Sequence, residues 1–296
     1  MKFLEKHPLI MIVTGVIGIS LSSIFVKYST APSAVTAAFR LLWTVLLMTP
    51  VVLCKKEVRR ELLQINRKNF ILSALSGLFL AVHFAVWFES LLHTSVASST
   101  TIVCTEVIWV SLGFCLFMKG KLSKKAVAAI AVILAGSMLI AYADSVAGGA
   151  HLYGDVLALL AAIAVAVYML IGRVVREGVS TTVYTYVVYV VCAVTLVLIC
   201  ICQGHRIFDF GMSAVIVGFL LAVFSTILGH SIFSWCLKYF SPSFVSASKL
   251  CEPVVAAVFA AFLFGELPSM LQVFGGVMIL GGVYYYSRIE KGKEEE

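Results

Sequence analysis

Charged residues are scarce in this sequence: only 12% of its 296 residues are Asp, Glu, Lys or Arg, whereas 61% are hydrophobic. Soluble domains carry about 25% charged residues, so this chain has too little polar surface to cover a water-soluble globule. A lipid bilayer is therefore the expected solvent. The expected fold class is an all-α membrane protein.

Enzyme and metal signatures are missing as well. The sequence contains no HExxH, no GxSxG, no phosphate-cradling glycine loop and no paired aspartate motif. Its eight cysteines lie in or beside apolar segments without CxxC spacing, so we expect them to be small core residues. We predict that the protein is not an enzyme and holds no cofactor or metal.

Long apolar stretches recur along nearly the whole chain instead. A helix needs about 20 apolar residues to cross a bilayer. Hydropathy, read together with charge and Gly/Pro positions, predicts ten such spans. They lie near residues 8–28, 34–54, 70–93, 95–118, 124–143, 153–175, 181–202, 213–237, 243–264 and 269–288.

Positive charge is distributed unevenly between the loops. Eighteen of the 22 Lys and Arg residues fall on one predicted side, and the opposite loops hold only Arg206. Because positively charged loops stay in the cytoplasm, both termini are predicted to be cytoplasmic. This pattern accounts for the net charge of +7, and we expect no nucleic-acid partner.

The two halves of the sequence resemble each other. Cys104-Thr-Glu106 matches Leu250-Cys-Glu252, which lies 146 residues later. Since each half holds an odd number of predicted spans, the second copy must enter the membrane in the opposite orientation. The pattern predicts two inverted five-helix repeats, residues 1–145 and 146–290, and a charged cytoplasmic tail at 291–296. The alternative is that unrelated hydrophobic helices look alike.

Two glutamates lie at matching mid-span positions, where an ionisable side chain needs a partner or a watery cavity. At ~1.5 Å per residue, Glu106 and Glu252 are both predicted about 15 Å deep. Lys249 precedes Glu252 by three residues and Pro253 follows it, so a local ion pair at a kink is one interpretation. A broken helix in a cavity wall is the other. Glu106 has no local cation and is therefore the predicted proton-titrating or substrate-contacting acid.

Histidine and tryptophan recur in both halves. His83 and Trp87 lie on one helical face of the third span, and His230 and Trp235 lie similarly in the eighth. Histidine carries protons near neutral pH, and indole offers a flat face to a cationic or aromatic solute. Packing between helices is the alternative for each. The predicted substrate-binding residues are Glu106, His83, Trp87, His230, Trp235, Glu252, Lys249, Ser234 and Thr105.

Three further charged residues share a predicted depth near the outer ends of the first three spans. They are Glu89, Arg40 and Lys27. Opposite charges at one depth predict a salt-bridge cluster. Whether this cluster is a gate that breaks on opening or a permanent staple stays open.

The last predicted span carries two glycine pairs, Gly275-Gly276 and Gly281-Gly282. Small residues let helices approach closely, so the pairs predict either a packing surface or a dimer contact. The sequence therefore leaves open whether the protein is a monomer or a homodimer.

Three regions carry a family resemblance: Ala37-Ala-Phe-Arg40, the segment 81–99 with Ala81-Val-His-Phe-Ala-Val-Trp87, and the segment from Gly229-His230 through Glu252-Pro253 to Phe264-Gly-Glu266. They resemble the EamA-domain branch of the drug/metabolite transporter superfamily. The resemblance implies ten helices, a central cavity lined by helices 1 to 4 and 6 to 9, and helices 5 and 10 that are peripheral or dimer-forming. Lys121 stands where the family usually has the acid of a Gly-Glu pair, so that acid is missing from the first repeat.

The resemblance and the mid-span polar residues predict a secondary transporter in a prokaryotic plasma (inner) membrane. We expect it to export a small polar or amphipathic metabolite, such as an amino acid or an organic cation, by alternating access, with proton coupling left open. Zwitterions or cations fit the charges within the spans better than polyanions do. The alternative is a membrane-embedded enzyme or flippase acting on a lipid-linked substrate, and a channel or scaffold is a third hypothesis.

Overall fold

A computed structural model describes residues 8–94, 96–144, 152–252 and 268–292, together with residues 254, 255, 258, 259 and 262. All regular secondary structure in these ranges is helical, which confirms the predicted all-α class. Pro253 and Phe264-Gly-Glu266, which belong to the sequence motifs, lie outside the described residues. The α-helices are α1 (Pro8–Ser20), α2 (Ser22–Lys27), α3 (Ser33–Cys54), α4 (Lys56–Gln64), α5 (Arg67–His93), α6 (Val96–Cys104), α7 (Glu106–Phe117), α8 (Lys124–Asp144), α9 (Leu152–Val175), α10 (Thr181–Cys202), α11 (Gly211–Leu220), α12 (Ser231–Cys236), α13 (Pro242–Lys249) and α14 (Met270–Gly292).

Seven helical stretches in the described ranges are long and apolar enough to cross a membrane. Large apolar side chains such as Val13, Leu46 and Ile201 are exposed along them, as expected for surfaces that face lipid. Of the other three predicted spans, α8 and α14 are single helices of 21 and 23 residues. The span predicted at 243–264 extends into positions that are not described. The stretches are Pro8–Val26, Ser33–Cys54, Arg67–His93, Ser99–Phe117, Leu152–Val175, Thr181–Cys202 and Ile207–Cys236.

The helices pack around a common centre. Helix α5 lies against α9, and α10 packs against both α3 and α5. The approach of α5 to α10 is close enough that a Cβ atom on Gly77 would lie 2.5 Å from the Val188 carbonyl oxygen. Helix α1 packs against the segment Leu221–His230. These contacts enclose the side chains that face the middle of the bundle.

Helices α8 and α14 pack against each other at the glycines of α14. A Cβ atom on either Gly136 or Gly275 would lie 2.7 Å from the other residue's carbonyl oxygen, and one on Gly282 would lie 2.5 Å from Ile133. Gly281 faces open space. The packing surface predicted for these glycines is therefore present within the chain at Gly275 and Gly282.

One predicted span is broken just before Glu106. Helix α6 ends at Cys104, Thr105 forms a turn, and α7 begins at Glu106. The Thr105 amide donates to the Ile102 carbonyl at 3.0 Å, a bond to the third residue back instead of the fourth. Glu106 therefore stands at a helix start, in mid-span.

A second break precedes Glu252. Helix α13 ends at Lys249, Leu250 and Cys251 form a turn, and helical conformation resumes at Glu252. The Cys251 amide again donates to the third residue back, the Ser248 carbonyl, at 3.2 Å. The two breaks thus lie at equivalent positions of the two sequence halves.

The start of α13 is fixed from two sides. The Ser241 hydroxyl accepts from the Phe244 amide at 3.3 Å, as an N-cap does. The Ser241 amide donates to a carboxylate oxygen of Glu290 on α14 at 2.7 Å. These bonds anchor the short helix that carries Lys249.

The predicted eighth span is a composite. It consists of a 3₁₀ turn at Ile207–Phe210, then α11, a π-helix at Leu221–His230, and α12. Such π-helical turns occur frequently at functional sites, because the wider turn changes which side chains face inward. His230 is the last residue of the π-helix.

Candidate substrate cavity

A cavity lies between the two helix breaks. It encloses about 600 Å³ of space between atoms, part of it open to solvent. Side chains from both sequence halves line it. Six of the nine predicted substrate-binding residues are brought together there: His83, Trp87, Glu106, His230, Lys249 and Glu252.

Glu106 is held in an ion pair across the cavity wall. The Lys249 ammonium donates to both carboxylate oxygens, at 2.7 and 2.9 Å, and the Ser246 hydroxyl donates to one of them at 3.1 Å. Glu106 is buried, with 3% of its surface exposed. Glu106 has no local cation, but it is not unpaired as the sequence suggested, because Lys249 reaches it from a helix that is distant in sequence.

Glu252 faces the same cavity without such a partner. Its carboxylate forms no hydrogen bond or ion pair with any residue that the structure describes, and it is only partly buried. Its backbone carbonyl lies 3.4 Å from the Ser20 hydroxyl. The local Lys249–Glu252 ion pair considered from sequence is not formed, because Lys249 binds Glu106 instead.

Arg40 also lines the cavity. Its guanidinium Nε donates to the Thr226 hydroxyl at 2.7 Å, and its Cζ lies 4.3 Å from the centroid of the Phe84 ring, which is a cation–π contact. The side chain is 1% exposed. Arg40 is thus buried in the cavity wall and is not part of the outer cluster to which the sequence assigned it.

His83 and Trp87 form a stacked pair on α5. Their rings are 5.8 Å apart and 17° from parallel. The Nδ1 atom of His83 lies 3.0 Å from the Ala161 carbonyl oxygen, and since a carbonyl only accepts, Nδ1 is the donor. The other ring nitrogen, Nε2, is therefore an acceptor when the imidazole is neutral.

His230 approaches this aromatic group from the other half of the chain. Its ring meets Phe84 edge-on at 5.4 Å, and Tyr168 lies 6.2 Å away. A row of ring contacts through His83 and Phe84 therefore runs from Trp87 to Arg40, and His230 packs beside it.

Three predicted substrate contacts do not line the cavity. The Ser234 hydroxyl is hydrogen-bonded to the Tyr168 hydroxyl at 2.8 Å, and that of Thr105 donates to the Ile102 carbonyl at 2.6 Å. Trp235 packs against Tyr239, 4.4 Å between ring centroids. Five residues separate Trp235 from His230, about 140° around an α-helix, whereas the four from His83 to Trp87 turn only about 40°.

The predicted outer salt-bridge cluster is not formed between Arg40 and Glu89. Glu89 pairs with His93 one turn along α5, at 3.2 Å, and both side chains are more than a third exposed. Arg40 donates to Thr226 instead, because its side chain is buried inside the bundle against the Phe84 ring. The side chain of Lys27 lies outside the described part of the chain.

Sequence reasoning missed several smaller cavity residues. Ser22, Thr100, Cys104 and Ser225 line the cavity, and none was among the predicted substrate-binding residues. Hydroxyls are common at helix contacts, so their residue types alone carry little signal. The break after α1, between Ser20 and Ser22, is the feature that would have pointed to Ser22.

Comparison with known proteins identifies the family of this chain. The model of the EamA-like transporter family matches the chain twice, at residues 7–142 and 152–288. An uncharacterized transporter of Clostridium kluyveri is 22% identical over 299 residues, which cover 95% of each chain. Another, of Archaeoglobus fulgidus, is 22% identical over 214 residues, 71% of this chain and 73% of its own.

A solved crystal structure superposes on 98% of this chain and 99% of its own with a TM-score of 0.80, at 16% identity. At that identity the superposition shows a shared fold alone. The family-model matches cover nearly the whole chain, and the membrane-length helices surround a cavity lined by charged groups. The chain is accordingly an integral membrane protein that belongs to the EamA-like transporter family.

Proposed function

We propose that this protein is a secondary transporter of a prokaryotic plasma membrane that exports a small polar or amphipathic metabolite by alternating access. The main support for this proposal is the cavity, which is lined by Arg40, Glu106, Lys249 and Glu252. Charged side chains within membrane spans are strongly disfavoured unless they face a partner, water or a solute. A polar site between two halves of the chain is what a rocking mechanism requires.

The proposed architecture has ten spans in two inverted repeats, residues 1–145 and 146–290, with both termini and the tail 291–296 in the cytoplasm. Separate matches of the family model to the two halves support it. The packing supports it too: the contact between α5 and α9 has a counterpart between α1 and the eighth span. Exchanging the halves converts one contact into the other, as a two-fold relation demands.

The Lys249–Glu106 pair links the two proposed repeats. It joins α13 of the second half to α7 of the first, so relative movement of the repeats strains or breaks it. Glu252, which has no partner in the described structure, is the acid free to exchange a proton or to bind a cationic group. We therefore assign the coupling role to Glu252, where the sequence favoured Glu106.

Flux through reconstituted protein tests the proposal. Purified protein in liposomes should take up amino acids or organic cations with saturation, and a pH gradient should alter the rate. Glu252→Gln should reduce the rate by at least about tenfold, the effect of ~1.4 kcal/mol. Glu177→Gln, in an exposed loop, is the matched control and should leave it unchanged.

Three outcomes would contradict the proposal. Flux that never saturates indicates a channel. Lipid scrambling without solute uptake indicates a flippase, and a covalent intermediate with a lipid-linked substrate indicates an enzyme. Equal rates in wild type and Glu252→Gln would remove the coupling role from Glu252 while leaving transport itself in place.

A further inference from the structure

Four buried polar groups in the cavity wall have no hydrogen-bond partner among the described residues: Nη1 of Arg40, the indole Nε1 of Trp87 and the hydroxyls of Ser22 and Ser225. A hydroxyl can donate or accept, but the N–H groups of Arg40 and Trp87 can only donate. Leaving a buried donor unpaired is unfavourable, and more so when the group is charged. The two donors therefore indicate where an acceptor from outside the protein belongs.

The Arg40 guanidinium is oriented before any solute arrives. Thr226 holds Nε at 2.7 Å, and the Phe84 ring supports the guanidinium at 4.3 Å. These contacts use one nitrogen and the flat face, and they leave Nη1 available. A fixed guanidinium loses little conformational freedom on binding, and its fork of donors matches a carboxylate.

The acids of the cavity leave Arg40 unneutralised. Glu106 is occupied by Lys249 and Ser246, and Glu252 forms no ion pair in the described structure. The charges of these four side chains sum to zero, but one cation, Arg40, and one anion, Glu252, have no ion-pair partner among the described residues. A solute with both a carboxylate and an ammonium would satisfy both, whereas a dianionic phosphate would leave excess negative charge beside Glu252.

We propose that Arg40, with the Trp87 indole N–H as a second donor, forms an anion subsite that binds the carboxylate of the transported solute. The inference rests on the proposed function, because it takes this cavity as the substrate site. It narrows the substrate class to carboxylate-bearing zwitterions, with the ammonium on the Glu252 side. An organic cation without a carboxylate would leave Arg40 buried and unpaired.

Matched ligands test the subsite without requiring transport. The probes are leucine, methionine and phenylalanine, each with its amide and its N-acetyl derivative, and binding to the purified protein is read by thermal shift. The amide removes the carboxylate charge and the N-acetyl group removes the ammonium. We expect at least one of the amino acids to bind about tenfold or more tightly than its amide, the effect of one charged hydrogen bond.

Variants assign that preference to the two donors. Arg40→Gln should abolish the discrimination between acid and amide, and Arg40→Lys should retain part of it. Trp87→Phe keeps an aromatic ring and removes the N–H, so it should weaken binding of the acid by about threefold to tenfold and binding of the amide, whose neutral carbonyl is a weaker acceptor, by less. Trp109→Phe is the matched control, since Trp109 does not line the cavity. If Arg40→Gln does not fold, Trp87→Phe carries the test.

Failure of the subsite and failure of the proposed function give different results. Equal binding of acid and amide by the wild type, no binding of any of the carboxylates, or an unchanged preference in Trp87→Phe overturns the subsite. Saturable flux of solutes that lack a carboxylate would overturn it and leave transport intact. Selective carboxylate binding without flux in liposomes would support the subsite and overturn the transporter.

Discussion

Glu106 and Glu252 occupy equivalent positions in the two halves, yet their surroundings differ. Both follow a helix break directly, and both line the same cavity. Glu106 accepts from Lys249 and Ser246, whereas the Glu252 carboxylate has no such bond within the described structure. Two acids in one cavity thus have different electrostatic environments although their local backbones are alike.

One substitution between the halves accounts for this asymmetry. The residue 146 positions before Lys249 is Val103, and both line the cavity. The second half therefore contributes a lysine where the first contributes an apolar side chain. Because Lys249 binds Glu106, the duplicated site holds one neutralised acid and one acid, Glu252, without an ion-pair partner among the described residues.

The strongest test of this comparison is a double-mutant cycle on the pair. Glu106→Gln or Lys249→Met alone leaves a charge unpaired at low exposure, so each should lower the unfolding free energy by about 3 kcal/mol. The double variant should recover most of that loss, because neither member of this pair is left charged without the other. Equilibrium unfolding in mixed micelles measures all three. Losses that simply add in the double variant would show that the two side chains stabilise the protein independently.

Adding a second lysine should make the two acids alike. Val103→Lys places an ammonium at the position equivalent to Lys249, where it should pair with Glu252. We expect transport to fall by roughly tenfold, the effect of ~1.4 kcal/mol of added stabilisation of Glu252 in one state. Val103→Met, of similar length and uncharged, is the control, and liposome uptake is the measurement. Unchanged uptake in Val103→Lys would mean that Glu252 need not be free.

Much of this site is readable from local sequence. Mid-span glutamates, the match around Cys104-Thr-Glu106 and Leu250-Cys-Glu252, and the histidines on their helical faces all follow from period and polarity. They identify Glu106, Glu252, His83 and His230 as inward-facing. Such reasoning works because membrane depth and helical face are properties of one helix at a time.

The pairing of Lys249 is not readable in the same way. A local (i, i+3) rule favours Glu252, but the turn at Leu250 and Cys251 interrupts the helix between them, and Lys249 reaches Glu106 on another helix. Arg40 shows the same limit, because its partner Thr226 is 186 residues away in sequence. Contacts between helices depend on packing, which one helix's pattern does not encode.

Ser246 offers a smaller probe of the Glu106 environment. Ser246→Ala removes one donor to the carboxylate while Lys249 remains, so we expect a loss of about 0.6 kcal/mol, typical of hydroxyl bonds between membrane helices. Ser248→Ala is the matched control. Ser248 is equally buried, but its hydroxyl donates to the Phe244 carbonyl of its own helix. Both unfolding free energies are measured by the same unfolding titration in micelles. If Ser246→Ala lowers the unfolding free energy less than Ser248→Ala does, the Ser246 hydroxyl contributes little to holding Glu106.

The smallest expected change in unfolding free energy comes from a substitution at the helix break before Glu106. In the second half Glu252 is followed by Pro253, and in the first half Glu106 is followed by Val107. Because α7 begins at Glu106, Val107 lies in the first helical turn, where proline is tolerated. We therefore expect Val107→Pro to stay within about 0.5 kcal/mol of the wild-type unfolding free energy.

Val110→Pro is the control for Val107→Pro. It tests whether proline is tolerated at Val107 because the helix is broken at Thr105, or because α7 tolerates proline at any position. Val107 and Val110 are both fully buried in the same helix, but Val110 lies one turn further in, where its amide is needed by the helix. Proline there should destabilise the protein by about 3 kcal/mol or more. A loss of that size at Val107 as well would mean that α6 and α7 form one continuous helix in solution. The equivalence of the two breaks, on which the contrast between Glu106 and Glu252 depends, would then be lost.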